Sequence, residues 1–450
     1  MIHRDNHYLL FSIVVFLYIC TLFVNIPGVR EILAVLVLFL FFISVRYASG
    51  LFRILATVFS GTGIILIWRY NLPVWESIMY VNDNLALLSL LFMLPWMSGA
   101  VRSGRYDRRI NTMLASDVSR LGQLYPRALG VSYILTAFIN LSALSLSQGV
   151  LKENLKALET KVQQSFIAKT TLRGFAAALC WSPMEILVAI SVDATGVSYF
   201  TMLPWLMLVS FLTLSLDGII GRNRWKNTPY ISDAPAASPK RLLPDLLQLA
   251  AALTVFLICI VAIGNFFQLN FILTVTLVIF PFAFLWAVVI RRTRSFFKLS
   301  VPLWKTRASH MQNFVLLFVS LAFFSSVLNE TPLLEVIQAP FLAVEDTPWI
   351  ALFMIQGAYL LLSMTGIHPI AVIAVLVEAV TPLFAEANPL SFAIVLVTGA
   401  LATATVGTYG VTVTLTAANT LQNPYRITWR NMPFAVMYGL IGTLTAVFLL

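Results

Sequence analysis

Runs of apolar residues recur along the chain at 8–26, 32–45, 51–68, 84–101, 198–216, 244–264, 271–290, 312–329 and 432–450, each bounded by charged residues or by Pro, Gly or Asn. A helix that crosses a bilayer needs about 20 mostly apolar residues, and charges or turn formers are what end one. Three further apolar regions, 127–150, 172–196 and 349–420, carry short polar interruptions. These fall at Ile139-Asn140-Leu141-Ser142, at Cys180-Trp181-Ser182-Pro183, between Ser363 and Pro369, and between Thr405 and Gly410. No hydrophilic stretch is long enough to fold alone, so the pattern predicts one all-α, polytopic membrane domain over 1–450.

Composition agrees: 59% of residues are hydrophobic, 11% are charged, and the mean hydropathy is +0.88. A soluble domain carries about 25% charged residues. The first apolar run follows Arg4 as a signal peptide would, but no small-residue cleavage site comes after it, so it is expected to stay as a helix. Cys20, Cys180 and Cys259 all lie in apolar runs without the close Cys/His spacing of a metal or redox site, and neither metal nor cofactor is expected.

The net charge of +10 is informative through its placement. Lys and Arg gather at 102–127, 152–173, 222–241, 291–307 and 426–430, whereas Glu330, Glu335, Glu345 and Asp346 occupy a connection with no basic residue. By the bias of basic residues toward the cytoplasm, the five basic groups lie inside and the acidic connection outside, as do 69–83 and 382–389. The excess is thereby assigned to loops, and no nucleic-acid partner is expected. The chain is placed in the cytoplasmic (inner) membrane, N-terminus inside and C-terminus outside.

The stretch from Arg127 to Lys152 begins and ends among inside charges but is too short to cross twice at 1.5 Å per residue. A re-entrant hairpin with its tip at Asn140 resolves this. A second hairpin, entering from the other face, is expected over 349–382. Each hairpin tip is followed at nearly the same distance by a second break, Ser182-Pro183 in one half and Gly407-Thr408 in the other. The pattern divides the chain into an extra first helix (1–31), a first repeat (32–220), a cytoplasmic connector (221–243) and a second repeat (244–450), with about 11 transmembrane helices in two inverted repeats, each holding a re-entrant hairpin and a broken helix. Matched interrupted segments in two halves point to a transport site.

Opposed hairpins and paired broken helices resemble the ion-transporter superfamily, which includes the divalent-anion:sodium symporters, citrate transporters and the large membrane subunits of TRAP transporters. The resemblance implies a secondary active, elevator-type carrier for a small, anionic solute, coupled to Na+ or H+. In the divalent-anion symporters a Ser-Asn-Thr signature at each hairpin tip and each broken helix holds sodium and substrate carboxylates. Here the first tip offers Asn140 and Ser142, and the second Thr365, Gly366 and His368.

Pro183 removes a backbone donor and disfavours helix at Ser182, so Ser182 and Pro183 mark a kink or an unwound ion-binding segment. Thr405, Gly407 and Thr408 make the second break small and polar, as a site or a tight helix contact would be. His368 is the one histidine deep in an apolar run, and imidazole titrates where a proton-coupled carrier works. Glu185 and Glu378 are the acids expected to share a cavity with it. Glu153 to Lys169, apolar at helical spacing with lysines opposite, reads as a helix on the cytoplasmic surface.

The lipid bilayer is the expected surrounding, and a homodimer the expected assembly. Two other readings stand beside the carrier: a permease subunit of a TRAP-type system, and a lipid-carrier translocase. No paired carboxylates, His-Asp motif or phosphate loop supports an enzyme.

Overall fold

The computed structural model describes residues 7–24, 27–111, 114, 118–230 and 239–450. The first half is built from α1 (His7–Phe23), α2 (Val29–Tyr47), α3 (Gly50–Tyr70), α4 (Val74–Met79), α5 (Leu85–Ser103), α6 (Tyr106–Asn111), α7 (Leu121–Ile139), α8 (Leu141–Asn154), α9 (Thr160–Leu179), α10 (Ile186–Thr195) and α11 (Tyr199–Arg224). The second half holds α12 (Pro239–Phe267), α13 (Phe271–Val289), α14 (Thr293–Ala308), α15 (Gln312–Asn329), α16 (Leu333–Leu342), α17 (Pro348–Met364), α18 (Pro369–Val380), α19 (Pro389–Thr403), α20 (Val411–Thr420) and α21 (Pro424–Phe448). Among the described residues there is no strand, only a lone bridge between Arg120 and Pro229.

The helix boundaries follow from local chemistry. Pro348, Pro369, Pro389 and Pro424 open α17, α18, α19 and α21, where a residue with a preset φ and no N–H costs nothing. Asn388 and Asn423 cap the last two by accepting from Leu390 N–H at 3.1 Å and Tyr425 N–H at 2.9 Å. The first hairpin turns on a single residue: Asn140 sits at φ 44°, ψ −133°, between two helices. The second turns through Gly366 at φ 97°, a conformation natural to glycine.

Seven helical stretches among the described residues are long and apolar enough to cross a bilayer, where eleven were expected. The shortfall has a physical reason, since α1, α10, α17 and α19 are apolar but only 10–17 residues long, three of them bounded by the polar breaks. Other differences concern charged stretches. The basic segment 291–307, expected as a loop, forms the 16-residue helix α14, which packs Phe296, Ser300 and Ala308 inward. The expected surface helix over 153–169 does not form as a unit. Residues 153–154 end α8, and 160–169 are the first half of α9, with Phe166 and Lys169 buried. Of the expected connector 221–243, residues 231–238 lie outside the described residues, while 221–224 continue α11 and 239–243 open α12.

Packing sorts the helices into two groups. In one, α15 lies against α2 and α3, and α5 against α13 and α14. In the other, α7 packs on α9 and α11, α19 on α17, α21 and α10, and α8 on α20. Glycines bring the second group close together. A Cβ on Gly442 would stand 2.1 Å from Thr398 Oγ1, and one on Gly221 would stand 2.0 Å from the Tyr125 ring. Such small residues at crossings are how helices approach in a membrane, where lipid offers no hydrophobic drive to associate. The groups meet where α5 touches α7, α15 touches α18 and α10 touches α13.

Candidate functional site

Every break in a helix frees backbone groups that must find partners away from water. Between α9 and α10, neighbouring helices supply them. Ser210 Oγ donates to Ala177 O at 2.7 Å, Tyr199 Oη to Trp181 O at 2.5 Å and Tyr438 Oη to Ala176 O at 3.3 Å. Between α19 and α20 the break serves itself. Thr403 and Thr405 donate to Ala400 O and Ala402 O at 2.6 and 2.9 Å, Thr412 donates to Ala404 O, and Gly407 N–H donates to Thr403 O at 2.7 Å.

All four breaks converge on one cavity of about 150 Å³. Asn140 reaches it from the first hairpin, Glu185 from the α9–α10 break, Gly366 and His368 from the second hairpin, and Gly407 and Gly410 from the α19–α20 break. Leu51, Leu91, Leu94 and Phe314 close it from the other packing group. The walls are mainly apolar. Their ionisable groups are Glu185, His368 and the Tyr409 phenol, and no Lys or Arg lines them. The Asn140 side chain is a polar neighbour of the half-buried Glu185 carboxyl.

His368 is the N-cap of α18. Its Nδ1 accepts from Ile370 N–H at 3.3 Å, which in the neutral ring puts the proton on Nε2. The rings of Phe52 and Phe314 hold it, with centroids at 5.6 and 6.4 Å.

The remaining residues singled out in the sequence fall elsewhere. Ser142 lines a second cavity beside the first, on the far side of the Asn140 tip. Ser182 and Pro183 are buried in the break, where Ser182 Oγ accepts from Met184 N–H at 3.4 Å. Thr365 is exposed and bonds Leu362 O at 2.7 Å. Thr405 is spent on the backbone, as above, and Thr408 pairs with Thr428 at 3.0 Å. Glu378, expected beside His368, instead accepts from Ser325 Oγ, and its carbonyl accepts from Gln338 Nε2 at 3.0 Å.

Two polar clusters escaped the sequence reading. Arg173, counted there among the cytoplasmic charges, is 7% exposed. It pairs with Asp217 at 2.6 Å, donates to Asn431 Oδ1 at 2.9 Å and Arg430 O at 3.1 Å, and lies over the Phe434 ring. Tyr125 Oη donates to the other Asp217 oxygen at 2.8 Å, so α7, α9, α11 and α21 are tied at one point. Gln148 on α8 similarly joins Thr171 on α9 to Thr416 and Asn419 on α20, at 2.8–3.1 Å. The sequence carried only part of the signal: Asp217, directly after the apolar run 198–216, was visible, but its pairing with Arg173 was not.

No family model matches the sequence, and no curated protein matches it. In three dimensions the chain is similar to the Alcanivorax borkumensis YdaH transporter, whose crystal structure is described as revealing an unusual topology. The TM-score is 0.60 at 14% identity, over 88% of this chain and 97% of that one. At such identity the likeness is one of fold alone, an all-α, polytopic architecture that the two chains share.

Proposed function

We propose that the chain is a secondary active transporter that carries a small organic anion across the cytoplasmic membrane, coupled to sodium or protons. One observation carries this reading: four separate helix interruptions, far apart in sequence, line a single cavity. Breaking four helices to build one packed interior would be wasteful, whereas irregular backbone beside a cavity is how carriers hold a solute at mid-depth. The two packing groups, with the cavity on their boundary, suit an elevator-type motion in which α7–α11 and α17–α21 travel past the rest. In this reading α7–α8 and α17–α18 are re-entrant hairpins from opposite faces, related by an inverted repeat.

Asn140 offers a clean test, because its backbone and its amide can be separated. At φ 44° an alanine adds strain of about 1–3 kcal/mol, while glycine adopts the turn freely. After a solute is found by uptake screening in proteoliposomes, Asn140→Gly is expected to keep the folded yield and raise the half-saturating concentration about tenfold, equivalent to about 1.4 kcal/mol. Unchanged uptake in that variant would remove Asn140 from the site. Uptake by the purified chain alone would also set aside dependence on a binding-protein partner.

Topology is open to labelling. Single cysteines at the exposed positions Arg120 and Lys156 are expected to react with an impermeant thiol reagent only from the cytoplasmic side, and those at Glu335 and Glu386 only from outside. Opposite-side labelling of the first pair would make α7–α8 a true crossing and end the re-entrant reading.

A further inference from the structure

The central cavity has no cation to receive an anion, yet one stands close by. On the other side of the Asn140 tip lies a second cavity of about 180 Å³, lined by Ser98, Ser142, Leu303, Arg307, His310 and Met311 among others. The two cavities share Leu91, Leu94, Asn140, Leu141 and Phe314, so the hairpin tip and three apolar side chains form the partition between them. Arg307 ends the basic helix α14, and no carboxylate lines this second cavity. Arg307 keeps part of its side chain exposed and has another cation, Arg102, in its electrostatic neighbourhood; the buried Nε of Arg102 has no hydrogen-bond partner among the described residues.

Like-charged guanidiniums repel each other, and an anion held at Arg307 in the cavity relieves that cost. A planar guanidinium binds a carboxylate through two parallel hydrogen bonds. We propose that Arg307, backed by Arg102, is an anion-receiving station through which the carboxylate of an apolar-bodied organic monoanion passes between the central cavity and the basic face of the protein. The inference rests on the transport reading and narrows its substrate. The mainly Leu, Ile and Phe walls of the central cavity, with Glu185 among them, suit an apolar body and disfavour multiply charged anions. Arg307 belongs to one packing group and Asn140 to the other, so the station marks a hand-over point between them.

The test uses the full chain in nanodiscs of phosphatidylcholine alone, with benzoate as the probe, benzamide as its neutral counterpart and citrate as a multiply charged comparison. Benzoate is expected to raise the thermal midpoint, and benzamide and citrate are not. Arg307→Gln should weaken the benzoate response about tenfold or more, Arg307→Lys should keep part of it, and Arg294→Gln, on the same helix but outside the cavity lining, should leave it intact. Arg102→Gln serves as a second variant should Arg307→Gln fold poorly. A benzoate response equal in wild type and both Gln variants overturns the proposal, as does no response in the wild type. An effect of Arg307→Gln that emerges only when phosphatidylglycerol is added assigns the station to a lipid phosphate and equally overturns it. Benzoate binding through Arg307 without uptake of any solute in proteoliposomes would instead sink the transport reading and leave the station standing.

Discussion

Arg173→Leu is expected to strip most of the folded protein from a detergent extract and to lower the unfolding midpoint of what survives. The guanidinium answers Asp217, which is 1% exposed, and removing it leaves that carboxylate buried with Tyr125 as its remaining partner. Breaking a buried ion pair from one side costs about 3–5 kcal/mol, a large share of the stability of a typical domain. Asn431 Oδ1 and the Arg430 carbonyl lose their donor in the same step. The loss should be one of pairing and not of the residue as such. Arg173→Met combined with Asp217→Leu removes both charges, and an apolar pair of similar volume often matches a buried salt bridge in stability. The double variant is therefore expected to recover much of the yield in fluorescence-detected size exclusion. A single variant as stable as wild type, or a double variant no better than the single, would show that the pair does not hold α9 to α11 and α21.

A second large effect is expected at Glu185, the carboxylate that lines the central cavity. If the proposed transport is coupled to sodium or protons at this cavity, the cation needs this charge, since the other polar wall groups are neutral or basic. Glu185→Gln keeps the shape and the neighbourhood of Asn140 but fixes the group as neutral. Solute exchange between the two sides of a proteoliposome should then persist within a few-fold, while accumulation driven by an ion gradient should fall at least about tenfold, some 1.4 kcal/mol of coupling. Accumulation equal to wild type would place the coupling site elsewhere. Loss of exchange and accumulation together, with intact folding, would make Glu185 a solute ligand.

The breaks were legible in the sequence because proline, glycine and asparagine announce them whatever the fold does around them. α9 stops at Leu179, before Trp181-Ser182-Pro183, and α19 stops at Thr403, before the glycines of 407 and 410. Which of their side chains face the cavity was not legible. Periodicity cannot say that Thr405 and Thr408 are taken up by a carbonyl and a threonine while Gly407 lines the wall. Charge counting failed in a specific way. It treats each Lys and Arg as a surface group, so it read Arg173 as a cytoplasmic charge and 153–169 as a surface helix, although tertiary pairing with Asp217 buries the one and Phe166 and Lys169 are buried in the other. α14 escaped for the opposite reason. Its inward residues, Phe296, Ser300 and Ala308, are too few among the basic ones to stand out as an apolar stripe. Glu378 was misplaced because its partners, Ser325 and Gln338, come from helices whose approach no local pattern announces.

The two broken helices differ in where their loose carbonyls are answered, and that difference bears on how each can change over time. The α9–α10 break depends on Tyr199, Ser210 and Tyr438, which sit on two other helices, so a drift at any of these three positions must be compensated at a distance. The α19–α20 break is answered by threonines within its own stretch and can be rewritten locally, one hydroxyl at a time. Matched breaks can thus persist in both halves of the chain while the residues that sustain them part company.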